Sequence, residues 1–234
     1  MPTPRLLVFD LDGTLIDSSV DLCNSVNAAL AHVGKPALPN ALIASYIGDG
    51  AAMLVRRALG DPNDLDSQSP TAGNPIFEQA FEFFLRYYRE HLLDNTRTYP
   101  GVLEALQAIR DAHPLLPMAV LTNKPVRPSQ TICDALGLTP FFFQNYGGNS
   151  FPTKKPDPEG LLTLIAEASA LAGSMITAAE TMMIGDSDVD VLTARRAGTR
   201  TLGCTFGLAP HALAAAEPDL LAHHPSEWPG AVSL

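Results

Sequence analysis

The feature that most constrains this chain is a rhythm. Short apolar runs, each closing on a polar turn, alternate with stretches of helical periodicity from end to end. That alternation reads as an α/β fold with a mainly parallel, Rossmann-like sheet. Leu6-Leu7-Val8-Phe9 is the first candidate buried strand, broken by Asp12-Gly13. Residues 118–121 form a second, between Pro117 and the polar turn Thr122-Asn123-Lys124-Pro125. Further strands are expected to start at 141–143 and run to Gly147-Gly148, at 181–184, ending at Gly185-Asp186, and at 199–203, with a short edge strand at 219–222. Helical patterns fill the gaps at 101–112, 127–136, 158–172 and 188–197. Pro100 and Pro128 suit first helical turns, and Gly137 and Gly198 suit C-terminal caps.

Residues 17–97 break the rhythm. They hold no convincing strand and read as helices at 18–33, 39–45, 50–59 and 76–93. Phe77, Phe81, Phe84, Leu85, Tyr88 and Leu92 recur at helical spacing, as a core face does. The stretch 61–75 is a polar, turn-rich loop. The expected organisation is therefore an all-helical insert, 17–97, after the first strand of a core made of 1–16 and 98–234.

Composition narrows the function classes. With 234 residues, 46% hydrophobic and 17% charged, the chain has ample core material. Its net charge of −10 opposes nucleic-acid binding, and no local basic groove offsets it. No apolar run approaches the ~20 residues of a membrane span. Cys23, Cys133 and Cys204 are widely spaced and odd in number, which suits a reducing compartment rather than a disulfide or metal framework. The start of the chain, with acids at 10, 12 and 17, does not read as a signal peptide, so the expected location is cytoplasmic.

Chemistry concentrates at the strand ends. Asp10 and Asp12 follow the first strand and would project from the carboxyl edge of the sheet, where open α/β folds bind ligands. Two anions placed there call for a cation, and Mg²⁺ is the natural one. A surface turn or a calcium loop is the plainer alternative. An EF-hand loop, however, needs a third ligand where Thr14 stands, and the residues beyond read as helix. Asp186 and Asp190 form a second acidic cluster that either completes a metal shell or caps a helix N-terminus. Thr122 and Asn123 are donors suited to phosphate oxygens, or an ordinary turn; Lys155 offers a cation, or a solvated charge beside Lys154.

Acid pair, hydroxyl, lysine and acid pair, in this order and spacing, resemble the haloacid dehalogenase superfamily of phosphohydrolases over nearly the whole chain. Within it, Tyr46-Ile47-Gly48-Asp49-Gly50, Thr122-Asn123-Lys124-Pro125, Gly147-Gly148 and Lys154-Lys155-Pro156-Asp157-Pro158 resemble the bacterial hydrolases of 2-phosphoglycolate. The resemblance implies that Asp10 is the nucleophile and Asp12 the acid and base. It implies Mg²⁺ held by Asp10, the Asp12 backbone carbonyl and Asp186. Thr122 and Asn123 would donate to the phosphoryl group, Lys155 would pair with nucleophile and phosphate, and Asp190 would act through water or by orienting Lys155. The 17–97 insert looks like the superfamily's helical cap; within it Gly48, Asp49 and Gly50, before a helix starting near Ala51, either bind substrate by presenting backbone N–H groups to its carboxylate or serve only to reverse the chain. The implied partner is a small phosphorylated metabolite, and the chain would be a monomer or homodimer. A sugar-phosphate phosphatase or phosphomutase is the alternative within the superfamily; a metal-free dehalogenase and a receiver-like phosphoacceptor module lie further off. The six histidines show no site-like spacing, and Trp228 is expected to anchor the C-terminal segment.

Overall fold

The structure is a computed structural model describing residues 3–60 and 74–232. In chain order its elements are β1 (Leu6–Phe9), β2 (Ile16–Asp17), α1 (Ser19–His32), α2 (Asn40–Ala44), α3 (Ala51–Leu59), α4 (Pro75–His91) and β3 (Arg97–Thr98). They continue with α5 (Val102–Ala112), β4 (Met118–Leu121), α6 (Val126–Ala135), β5 (Gln144–Tyr146), α7 (Glu159–Ala172), β6 (Thr181–Gly185), α8 (Asp188–Ala197), β7 (Arg200–Cys204), α9 (Pro210–Ala216), β8 (Leu220–Ala222) and α10 (Trp228–Val232). The chain divides into two compact units, one of Met1–Asp17 with Arg97–Leu234, the other Ser18–Thr96.

The first unit carries a six-stranded sheet in the order β5-β4-β1-β6-β7-β8, every neighbouring pair parallel. All four residues of β1 are buried, as a continuous apolar run requires when helices cover both faces. Leu6 and Val8 pack with Ala119, Leu121, Met183 and, from α7, Leu161 and Leu164. Phe9 meets Phe142 and Trp228 on the other side, with ring centroids 5.8 and 5.3 Å away. The fully buried Trp228 thus fastens the C-terminal segment to β1.

Strand order reverses at β1: β4 and β5 extend from one side of it, and β6, β7 and β8 from the other. A crevice opens at such a reversal, outside the carboxyl ends of the strands. The register pairs Phe9 with Val120 and with Ile184, so all three central strands end at one level there. The Asp10 N–H still donates to the Ile184 carbonyl at 2.8 Å, and the Thr122 N–H to that of Tyr146 at 2.9 Å. Those bonds fix the backbone at which the functional side chains begin.

Two corrections concern this unit. The strand expected to start at 141–143 and run to Gly147-Gly148 begins only at Gln144 and ends at Tyr146, after a tight 3₁₀ turn at Thr139–Phe141. The phenylalanines pack inward from the connection, while the true strand is polar because it forms the half-buried edge of the sheet. Pro100 stands just before α5, whose N-cap is Gly101, rather than in its first turn. Helices α9 and α10 had no counterpart in the sequence reading. β2 and β3 pair antiparallel, Ile16 with Thr98 and Asp17 with Arg97, where the chain leaves for and returns from the helical stretch.

The second unit is helical. On α4, Phe77, Phe84 and Tyr88 are buried, and Asn74 caps the start by accepting from the Ile76 and Phe77 N–H groups. Asp21 of α1 accepts from the backbone and side chain of both Asn95 and Thr96 at 2.8–3.0 Å. Burial works to raise the Asp21 pKa, but those bonds outweigh it and hold it below its ordinary value. Residues 61–73 of the turn-rich stretch lie outside the described residues. No helix among the described residues is long and apolar enough to cross a membrane.

Candidate active site

The crevice beside β1 gathers the acids from both ends of the motif series. Oxygens of Asp10, Asp186 and Asp190 lie within 4.8 Å of one another, and all three residues are buried. Lys155 joins two of them, its Nζ 2.8 Å from Asp10 Oδ1 and 2.6 Å from Asp190 Oδ1. The other oxygen of Asp190 accepts from the Ser187 N–H and hydroxyl, closing a capping box at the start of α8. Asp190 is therefore at once the helix cap and the anchor of Lys155.

Asp186 is seated by backbone. Its Oδ2 accepts from the N–H groups of Leu208 and Ala209 at 2.6 and 3.3 Å, and the Thr14 hydroxyl lies 3.5 Å from Oδ1. Two glycines make room for it. A Cβ at Gly13, where φ is +89°, would collide with the Asp186 carboxylate, and one at Gly207 would strike both Asp186 and the Gly13 carbonyl. Neither Gly207 nor the Leu208 amide was foreseen. A glycine three residues past a strand end was the available signal, but a backbone donor leaves no mark in the side-chain alphabet.

The crowding shows in the electrostatics. Burial, then repulsion from Asp190 and Asp12, pushes the Asp10 pKa up to about 7 against the pull of Lys155. Burial, then Asp190 and Asp10, raises that of Asp186 well above the ordinary carboxylate range. Burial opposes the charge on Lys155, but Asp10 and Asp190 outweigh it and raise its pKa. A cluster of buried carboxylates with more negative charge than one ammonium can balance fits a small divalent cation, and an all-oxygen donor set suits Mg²⁺.

Asp12 stands apart from that cluster. Its two carboxylate oxygens lie 2.8 and 3.0 Å from Nζ of the buried Lys124, a residue the sequence reading gave no role of its own. Next to a proline in a polar turn, Lys124 looks solvated in sequence. Thr122 Oγ1 accepts from the Lys124 N–H at 3.2 Å, which leaves its proton to give. Asn123, expected as a phosphate donor, gives one amide hydrogen to the Lys155 carbonyl at 3.0 Å and so ties together the two loops that carry these groups. In the helical unit, Gly48, Asp49 and Gly50 precede α3, and the Asp49 carboxylate lies 2.6 Å from Arg57. Asp49 thus braces its own turn.

A parallel sheet with this reversal, holding carboxylates and hydroxyl at its strand ends and a lysine on the loop between β5 and α7, defines a class of hydrolase. Residues 7–204 match the family model of the haloacid dehalogenase-like hydrolases, and the chain belongs to that family. Its similarities are more specific still. It is 39% identical over 205 residues to the phosphoglycolate phosphatase of Chromobacterium violaceum, a match covering 88% of this chain and 86% of that one. Identity to the phosphoglycolate phosphatase of Neisseria meningitidis serogroup A is 37% over 203 residues, 87% of this chain and 81% of the other. A crystal structure described as a predicted phosphoglycolate phosphatase from Haemophilus somnus superposes with a TM-score of 0.84, at 32% identity and with 97% of each chain covered.

Proposed function

We propose that this hydrolase is a Mg²⁺-dependent phosphate monoesterase whose substrate is 2-phosphoglycolate. The observation that carries the reaction class is Lys155 bridging Asp10 and Asp190 beside Asp186, at the carboxyl end of the central strand. The names of the relatives support the substrate.

In this reading Asp10 attacks phosphorus in line and forms an aspartyl-phosphate as the glycolate oxygen leaves. Asp12 gives its proton to that oxygen, then takes one from the water that hydrolyses the phosphoenzyme to free Asp10 and phosphate. The Thr122 hydroxyl donates to a transferring oxygen, and Lys155 faces the charge on nucleophile and phosphoryl group. Asp10, Asp186 and the Asp12 carbonyl would hold Mg²⁺, which when bound offsets the repulsion between carboxylate and phosphate dianion. Asp190 keeps Lys155 in place. The unit Ser18–Thr96 is assigned the selection of the leaving group, with the backbone of Gly48 and Gly50 as its substrate-binding turn.

A panel of phosphate monoesters assayed with Mg²⁺ tests the proposal. The expected result is a kcat/KM for 2-phosphoglycolate well above that for hexose phosphates, with phosphate released stoichiometrically. Preference for a hexose phosphate would point to the sugar-phosphate alternative, and isomerisation without phosphate release to a mutase.

A further inference from the structure

The mechanism above leaves one buried cation without a task. Lys124 is 6% exposed, and its backbone is fixed on both sides. Its N–H donates to Thr122 Oγ1, and its carbonyl accepts from the Gly148 N–H at 2.9 Å. A Cβ at Gly147 would come within 2.6 Å of that same carbonyl, so the glycine pair lets the 147–148 turn press against the lysine's loop. Burying an ammonium is unfavourable by several kcal/mol unless something charged meets it. The transferring phosphoryl group already has Lys155, which sits on the nucleophile. Lys124 sits instead on Asp12, on the leaving-group side.

We propose that Lys124 is a specificity-determining residue that binds a carboxylate on the leaving alcohol. The inference rests on the phosphomonoesterase reading above and deepens it. A general acid must lie within about 2.6–3.2 Å of the oxygen it protonates. Lys124 Nζ lies 2.8 Å from that acid, so it is no more than about 6 Å from the ester oxygen. In a 2-phosphoglycolate-type ester the carboxylate carbon is two bonds from that oxygen. The flexible lysine arm closes such a gap without moving its backbone. A neutral alcohol offers Lys124 nothing beyond Asp12, whereas an acid adjoining the ester carbon adds a charge-assisted hydrogen bond. The site therefore selects short esters whose leaving group carries a carboxylate next to the ester carbon.

The test measures kcat and KM with 2-phosphoglycolate and with ethyl phosphate, in the presence of Mg²⁺, for the full chain and for Lys124→Met and Lys124→Arg. Comparing both substrates on one preparation cancels any loss of folded protein. Lys124→Met should lose roughly 10- to 100-fold more kcat/KM on 2-phosphoglycolate than on ethyl phosphate, mainly through KM, and Lys124→Arg should recover part of the difference. Equal losses on the two substrates would show that Lys124 serves Asp12 alone and would overturn the inference while leaving the hydrolase reading intact. A wild-type enzyme with no preference for 2-phosphoglycolate over ethyl phosphate would overturn the substrate reading and this inference together.

Discussion

Asp186 accepts from the backbone N–H groups of Leu208 and Ala209, so its fitness for the metal-holding role proposed for it depends on the loop that carries them. Leu208→Pro removes the shorter of those bonds, whereas Leu208→Ala keeps it. Mg²⁺ affinity, read by titration calorimetry, should fall roughly 10- to 100-fold in the proline variant and stay near wild type in the alanine one. Equal affinities would remove the loop from the site. The same contrast explains what single residues revealed in sequence. Asp10 and Asp12 were legible because two acids closing a buried strand serve no packing purpose. Asp190 was ambiguous because it is in fact both cap and anchor. Lys124 was hidden by its turn, and its partner Asp12 lies 112 residues away in the chain.

Among the elements, α1 depends on one residue more than its apolar stripe suggests. Asp21 collects bonds from Asn95 and Thr96 and joins the first helix of the helical unit to its last residues. Asp21→Ala should destabilise the protein by about 2–4 kcal/mol, measured by urea unfolding at neutral pH, because the buried N–H and hydroxyl of Thr96 lose a charged acceptor. The sign with pH follows from the lowered pKa of Asp21. Its contribution is present above the unfolded value near 3.8 and is lost as pH falls through the lower folded value. The gap between wild type and variant should therefore close only below about pH 4. A gap that closes at higher pH would contradict the assignment. The strands of the central sheet were readable because burial on two faces demands continuous apolar residues. The start of β5 was read a few residues early because an edge strand needs none, and the neighbouring phenylalanines supplied a stronger signal.

For the whole molecule, the burial of Asp10 and Asp186 ties stability to pH. Asp10 rises from its ordinary 3.8 to about 7 on folding, and Asp186 rises as well. The folded chain thus holds these protons more tightly than the unfolded one. The part that Asp10 contributes is complete below about pH 4 and lost as pH rises through about 7, and that of Asp186 has the same sign. Protein stripped with EDTA should melt at a lower temperature at pH 8 than at pH 6, and Mg²⁺ should raise the melting temperature more at pH 8. A metal effect independent of pH would separate Mg²⁺ from these carboxylates. The central claim is narrower: Asp10 carries the phosphoryl group between its two transfers. Rapid quenching of a single turnover of 2-phosphoglycolate, followed by peptide mass spectrometry, tests it most directly. The account predicts a transient phosphate on Asp10 that decays as free phosphate appears, with label and hydrolysis both absent in Asp10→Asn. Turnover without phosphate on Asp10, or hydrolysis that survives Asp10→Asn, would contradict it.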